Sequence, residues 1–258
     1  MSALSLNKIY NEDCLEGMSE RIPDSSVDMI LADLPYGTTN CKWDSVIPLE
    51  PLWEQYKRII KDDTAIVLTA SQPFTTRLIQ SNTDWFKYEW IWVKNRPTGM
   101  ASAKYQPMRN HEEILVFCKT STKYNPIKEE RDLKDKSEHL KSGEYTRKGY
   151  GSEVYDMDNS KNKKLDGKRN PTTVKKFDVV SNHGDNRKHS SQKPVDLFKY
   201  LIATYTNKDD IVLDNVIGSG TTAVAAKALD RDFIGFEKNE EYVEIARDRI
   251  KEVQKELI

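Results

Sequence analysis

The sequence predicts an α/β fold on one mostly parallel sheet with a polar insertion, and three observations predict it. Short continuous apolar runs recur along the chain, helical patterns fall between and after them, and all periodicity stops over one long internal stretch. Apolar runs bounded by Asp, Gly or Lys match strands buried on both faces, and their alternation with helices makes βαβ units.

The elements follow in order. Val27–Leu31 is the first strand, and the helix Leu49–Ile60 comes next, with Leu52, Tyr56, Ile59 and Ile60 on one face. Ala65–Thr69 is the second strand. Tyr88–Val93 ("YEWIWV") and Glu113–Phe117 ("EILVF") read as two more, antiparallel or at the far edge of the sheet, joined by a loop holding Pro97, Gly99 and Pro107. From Thr120 to Ser191 the chain turns to Lys, Glu, Asp, Asn, Ser and Tyr, as in an inserted segment or small subdomain; so long an aperiodic stretch is functional or disordered. The helix Val195–Tyr205, the strand Ile211–Leu213, the helix Thr222–Leu229, the strand Phe233–Phe236 and a charged amphipathic helix from Glu240 to about Leu257 complete the pattern. No internal repeat is present.

A chain of 258 residues can bury one substantial core and carry an insert. The amino terminus lacks a basic segment followed by an apolar one, and no stretch approaches the roughly 18 apolar residues of a membrane span, which predicts a soluble cytoplasmic protein. Cys14, Cys41 and Cys118 form no Cys-x-x-Cys pair, and the four histidines show no metal spacing, so neither a disulfide framework nor a metal site is expected. The net charge of -1 makes no global case for nucleic acid. Its distribution does: between Lys161 and Lys188 only Asp166, Asp178 and Asp185 stand against Lys161, Lys163, Lys164, Lys168, Arg169, Lys175, Lys176, Arg187 and Lys188.

Two motifs carry chemistry. "DIVLDNVIGSGTTAVAAKALDRDFIGFE" runs from a strand through Asp214 into a loop with Gly218-Ser219-Gly220, then a helix opened by Thr221-Thr222, then a second strand ending at Glu237. Glycines let a backbone approach a ligand closely, and a helix amino terminus offers free N–H groups. An acid about 20 residues on is placed to accept from ribose hydroxyls, so this is a nucleotide-type cofactor site. It comes after two hundred residues, with Ala223 at the third glycine position, so the completing strands must lie upstream in a circularly permuted sheet. The other motif, Asp33-Leu34-Pro35-Tyr36, then falls at the carboxyl edge of the same sheet, where open α/β sheets place ligands.

These residues resemble the DNA amino-methyltransferases, specifically the permuted β group that acts on adenine N6 or cytosine N4. Asp33 to Tyr36 looks like that family's Asp-Pro-Pro-Tyr, and Asp214 to Thr222 like its Asp-Pro-Phe-x-Gly-Ser-Gly-Thr-Thr. "NEDCLEGM" (Asn11–Met18), "RNHEEILVFCK" (Arg109–Lys119) and "HSSQKPVDLF" (His189–Phe198) also fit, leaving the polar insert unmatched. Leu34 departs from the family's first proline, and Asn215-Val216 departs from its Pro-Phe, replacing an aromatic wall beside the cofactor.

The resemblance implies a Rossmann-like methyltransferase sheet in three parts: a catalytic half over 1–119, a target-recognition insertion over 120–191, and a cofactor-binding half over 192–258. It implies S-adenosylmethionine as donor and an exocyclic amine of a flipped-out base in double-stranded DNA as acceptor. Asp33 and the Leu34 carbonyl would accept the amine's two N–H groups, with Pro35 holding the turn and Tyr36 offering a stacking face. The implied cofactor site comprises Asp13 on the adenine amine, Cys14, Asp33, Gln192 and Lys193 toward the methionine carboxylate, Asp214, Asn215, Val216, Gly218, Ser219, Gly220, Thr221, Thr222 and Glu237. His189 is expected to be a loop or capping residue, and Trp90 and Trp92 core residues. Trp43 is the tryptophan expected near the flipped base, and Lys163, Lys164, Lys168 and Arg169 are candidates for phosphate contacts. The aspartate at 33 favours adenine N6 over cytosine N4 as a family tendency. An RNA or protein amine methyltransferase and a catalytically silent DNA-binding homologue remain open. So do a homodimer, a cognate restriction enzyme and a bacterial or phage origin.

Overall fold

The computed structural model describes residues 4–39, 41, 44–130, 168–180 and 192–253. They fall into two units, Met1–Asn125 with Thr172–Ile258, and Pro126–Pro171. The first unit opens with β1 (Lys8–Tyr10), α1 (Cys14–Arg21), β2 (Val27–Ala32), α2 (Leu49–Ile59), β3 (Ile60–Ala70), α3 (Phe74–Gln80), β4 (Phe86–Thr98) and β5 (Arg109–Phe117). In the second unit, β6 (Glu129–Glu130) pairs antiparallel with β7 (Lys168–Arg169). The first unit resumes with β8 (Val174–Lys176), α4 (Val195–Tyr205), β9 (Ile211–Asp214), α5 (Thr221–Ala228), β10 (Asp232–Phe236) and α6 (Glu240–Lys251).

Its sheet runs in the order β1-β10-β9-β2-β3-β5-β4-β8. The first five strands are parallel, β5 is antiparallel to both β3 and β4, and β8 is parallel to β4. The period-2 pleat sorts the buried central strands onto two faces. Met29, Leu31, Ala65 and Val67 pack with Leu201, Ile202, Ala226 and Ala246 of α4, α5 and α6. Ile30, Ala32, Ile66 and Leu68 pack with Met18, Leu52, Tyr56 and Phe74 of α1, α2 and α3. The acid inside the β2 run is accounted for as well. Asp28 accepts from Lys61 Nζ at 2.6 Å and from the Ile211 N–H at 3.0 Å, tying β2 to β3 and β9.

From β2 the chain crosses through α2 to β3 on one side; from β9 it crosses through α5 to β10 on the other. The neighbours β2 and β9 pair in register Met29↔Val212 and Ile30↔Leu213. Opposite departures from adjacent parallel strands open a crevice at their carboxyl ends, the place such sheets bind ligands.

Every sequence-predicted strand and helix is present, with ends shifted by a few residues; the last helix closes at Lys251, and Leu257, where it was expected to end, lies outside the described residues. β3 and β4 extend furthest beyond expectation, β3 back to Ile60 and β4 on to Thr98, where the antiparallel ribbon with β5 continues pairing past the buried core to Thr98↔Arg109. The unpredicted β1, α1, α3 and β8 are short and depend on partners remote in sequence. α1 begins where Asp13 accepts from the N–H groups of Leu15 and Glu16 at 2.8 and 3.3 Å. β8 lies within the segment read as insertion, yet Val174 pairs with Ile91 in the sheet. Lys163, Lys164, Trp43 and His189 lie outside the described residues, and among the described residues no helix is long and apolar enough to cross a membrane.

Gly220 fixes how α5 meets α6. Its φ is 84°, and a Cβ there would stand 2.7 Å from Ala246 Cβ. Gly220→Ala combines left-handed strain with overpacking, so it should cost about 3 kcal/mol and lower Tm by several degrees in calorimetry. An unchanged Tm would mean the two helices are not packed this closely.

Candidate active site

Asp33 follows β2 and Asp214 ends β9, so the pairing of these strands brings the two motifs to one cleft of about 860 Å³. Asp13, Cys14, Asp33, Leu34, Pro35, Tyr36, Gln192, Lys193, Asp214, Asn215, Val216, Gly218, Ser219, Thr221, Thr222 and Glu237 all line it. Gly220 sits just behind, at the α5 cap. The one spatial requirement the two motifs share is therefore met.

One oxygen of Asp33 is crowded. Its Oδ1 accepts from the Tyr36 hydroxyl at 2.9 Å and from the Thr69 hydroxyl, and forms an ion pair with the Lys193 ammonium at 2.8 Å. Among the described residues no group donates to Oδ2. The carboxylate is thus clamped through one oxygen and left with acceptor capacity on the other. Tyr36 stacks on Phe74 with ring centroids 5.4 Å apart. Its burial, with the Asp33 charge beside it, holds the phenol well above the usual range, so it stays a protonated donor.

Lys193 in turn belongs to a buried row of alternating charge. Its Nζ lies 3.2 Å from Glu112 Oε2, and the other oxygen of Glu112 accepts from Lys94 Nζ at 2.9 Å. The 3.2 Å contact is an ion pair without hydrogen-bond alignment, since the same oxygen lacks an aligned donor. Burial opposes the Lys193 charge, but Asp33, Tyr36 and Glu112 outweigh it and hold the ammonium well above the ordinary lysine range. Burial likewise resists ionisation of Glu112, and its two lysines reverse that and hold it below the carboxylate range. Glu112 and Lys193 are therefore held as an ionised pair at the centre of the row.

The loop after Tyr36 closes on Asp44, which accepts from the N–H groups of Gly37, Thr38 and Thr39 at 2.8, 2.9 and 2.7 Å. Burial works against that charge, and the three amides with the Thr39 side chain overcome it, keeping Asp44 below the usual carboxylate range.

At the glycine loop, Asp214 is buried and accepts from Thr222 Oγ1 at 2.5 Å and from the Val216 N–H at 3.0 Å. Burial pushes its carboxyl up to about 7. Glu237 accepts from the N–H groups of Gly218 at 3.1 Å and Asn239 at 2.8 Å, and burial raises it too. Gly218 has φ 51°, and a Cβ there would meet only the Val216 carbonyl oxygen at an ordinary 3.9 Å, so conformation and not crowding calls for glycine. Asn215 is spent internally: Oδ1 accepts from Tyr56 OH at 2.5 Å, and Nδ2 donates toward Cys14 Sγ at 3.5 Å. Asp13 caps α1 and also pairs with Lys238 Nζ at 2.5 Å across the cleft.

Lys193 was expected at the methionine carboxylate; its ammonium lies on Asp33 and Glu112. Thr69, Lys94, Glu112, Asp44 and Lys238 escaped sequence reasoning. Glu112 did stand in a stretch quoted for the resemblance, but nothing in its spacing links it to Asp33. Trp90 donates to Tyr205 OH at 2.6 Å and Trp92 to the Phe177 carbonyl at 2.8 Å, both as buried core residues. In the second unit, Lys168 and Arg169 face Glu130 and Glu129 at 4.0 and 3.4 Å. The cysteines are free; Cys14 and Cys118 are buried and Cys41 is exposed.

An open parallel sheet with a glycine loop at its switch point and a clamped acid beside it defines a nucleotide-cofactor group-transfer site. Comparison with known proteins specifies it further. Residues 27–248 match the N6/N4 DNA methylase family. The type II methyltransferase M.BglII of Bacillus subtilis is 33% identical over 93% of this chain and 68% of its own length. M1.MboII of Moraxella bovis is 28% identical over 93% and 95%. The crystal structure of the M1.HpyAVI–SAM complex superposes with a TM-score of 0.63 at 25% identity, covering 94% of this chain and 98% of that one. The chain belongs to the S-adenosylmethionine-dependent DNA amino-methyltransferase family that modifies adenine N6 or cytosine N4.

Two outcomes follow. The folded Asp214 carboxyl titrates near 7 against an ordinary 3.8, so the folded state holds an extra proton between those values and loses stability as pH rises through them. Asp214→Asn should remove that decline, gaining about 1.4 kcal/mol per pH unit relative to wild type across the window; parallel melting curves at about pH 5 and pH 7.5 would contradict the assignment. Glu112→Gln leaves Lys94 and Lys193 facing each other without their shared counter-charge. It should cut kcat roughly tenfold or more while leaving S-adenosylmethionine binding by calorimetry within about twofold. Equal losses in both would assign Glu112 a purely structural role.

Proposed function

We propose that this chain methylates the exocyclic N6 of adenine in double-stranded DNA, with the target base turned out of the stack. The observation that carries the reading is the state of Asp33: one oxygen held by two hydroxyl donors and an ammonium, the other without a donor among the described residues, on the wall of a cleft shared with the glycine loop.

The cleft suits S-adenosylmethionine on its own geometry. Glu237 keeps lone pairs for ribose hydroxyls while its two backbone amides fix its direction, Gly218 leaves room beside it, and Asp13 is placed to accept from the adenine amine. Val216 lines the wall where the family's aromatic would stand, and the Asn215 side chain turns into the core, so its backbone is what it offers the cofactor. Bound there, S-adenosylmethionine supplies an electrophilic methyl carried on sulfonium.

The chain's own residues do the rest. Asp33 Oδ2 accepts one N–H of the target amine and the Leu34 carbonyl the other, which turns the nitrogen lone pair out of conjugation and toward the methyl. The Asp33 charge stabilises the positive charge that develops on nitrogen. Thr69, Tyr36 and Lys193 fix the carboxylate so that this costs no reorganisation at the moment of reaction. Tyr36, backed by Phe74, supports the base stacked beside the acid. The polar segment 120–191 is the proposed target-recognition region, with Lys163, Lys164, Lys168 and Arg169 toward phosphates.

Asp33→Ala should abolish methyl transfer to duplex DNA while S-adenosylmethionine still binds within about threefold. Nucleoside mass spectrometry of DNA methylated by the wild-type protein should show N6-methyladenine. N4-methylcytosine in its place would overturn the choice of base, and label transferred only to RNA or protein would overturn the choice of substrate.

A further inference from the structure

The antiparallel ribbon of β4 and β5 leaves the core at Lys94 and Glu112 and continues to its last pair, Thr98↔Arg109. Arg96, Pro97 and Thr98 line the rim of the cleft. Between Lys94 and Arg109 the sequence contains no acid, while Arg96, Lys104 and Arg109 are exposed bases. The ten-residue tip is ordered by its own backbone: Ser102 donates to the Gly99 carbonyl at 3.0 Å, Ala103 to Met100 at 3.1 Å and Tyr105 to Ser102 at 2.9 Å. This folded tip presents Met100 at 73% and Tyr105 at 90% exposure, the two most exposed large hydrophobic side chains among the described residues.

Two large apolar groups on one short, acid-free tip are a binding feature rather than scattered surface residues. Resting on the DNA reading above, we propose that the hairpin Arg96–Arg109 docks into duplex DNA beside the cleft, with Tyr105 filling the space vacated by the flipped base. Three features fit DNA as the occupant. A two-stranded ribbon fits a groove, the charge is of one sign, and an aromatic or apolar wedge is what replaces a displaced base in the stack. Exposed Lys104, next to Tyr105 in sequence, and exposed Arg96 in the cleft lining supply the positive charge for phosphates. The tip emerges from the rim of the cleft that holds Asp33, so insertion and capture of the base are the work of one continuous element.

Tyr105 is 90% exposed, so its truncation should leave the fold intact, which S-adenosylmethionine binding checks directly. The test compares initial methylation rates on a duplex carrying the site the wild-type enzyme methylates, and on the same duplex with the target base opposite an abasic position and so already unpaired. Tyr105→Ala should lose roughly ten- to a hundredfold on the paired duplex and no more than about twofold on the unpaired one, with Tyr105→Phe close to wild type. Lys104→Gln should weaken duplex binding and lower the salt slope by about one. A Tyr105→Ala rate equal to wild type on the paired duplex, or equal losses on both duplexes, overturns the wedge. A change of sedimentation coefficient in Tyr105→Ala without DNA overturns it in favour of a second copy of this chain as the occupant. Absence of methyl transfer by the wild-type protein to any duplex DNA, genomic DNA included, overturns the DNA reading, and the hairpin proposal with it.

Discussion

Parallel pairing of β2 with β9 is the contact on which the molecule depends. Their shared register, Met29↔Val212 and Ile30↔Leu213, joins segments nearly two hundred residues apart, and the Ile211 amide bound to Asp28 locks it with a side chain. Because β2 departs toward β3 and β9 toward β10, the crevice at their ends cannot be covered by either crossover. Asp33 and the loop before Gly218 inherit their proximity from that geometry. Without the pairing, each motif is only a turn at the end of a strand.

The acid at the centre is held by charge arranged across the sheet. Glu112 on β5 sits between Lys94 on β4 and Lys193 ahead of α4, and Lys193 reaches Asp33 after β2. Each ion in the row would be costly to bury by itself; alternation supplies every charge with an opposite neighbour. The row also helps decide which oxygen of Asp33 is occupied, leaving the other without a donor among the described residues. Asp44 does comparable work beyond Tyr36, gathering three amides so that the turn after the tetrapeptide keeps its shape. Structural charges thus surround the chemical one and set its orientation.

How much of this was legible beforehand follows from the range of each interaction. The central strands declare themselves because burial on both faces writes an unbroken apolar run. The glycine loop declares itself because backbone conformation restricts residue type locally, as the positive φ of Gly218 and Gly220 shows. β1 and β8, three residues each, are too short to carry a period and exist through pairing with β10 and β4. Thr69, Glu112 and Lys94 could not be linked to Asp33, since their meeting depends on which residues of β3, β4 and β5 stand side by side. A register leaves no local mark.

The sequence by itself determined the alternation of strands and helices, the two motifs and the family they indicate, because each is encoded within a few neighbouring residues. Only the tertiary structure decided that Lys193 serves the carboxylates of this chain, that Asn215 faces the core, that one oxygen of Asp33 stays open, and that a basic hairpin rises beside the cleft. Those outcomes depend on side chains meeting across strands far apart in the chain. They come into being when the sheet closes its register and burial makes every unpaired charge too costly to leave alone.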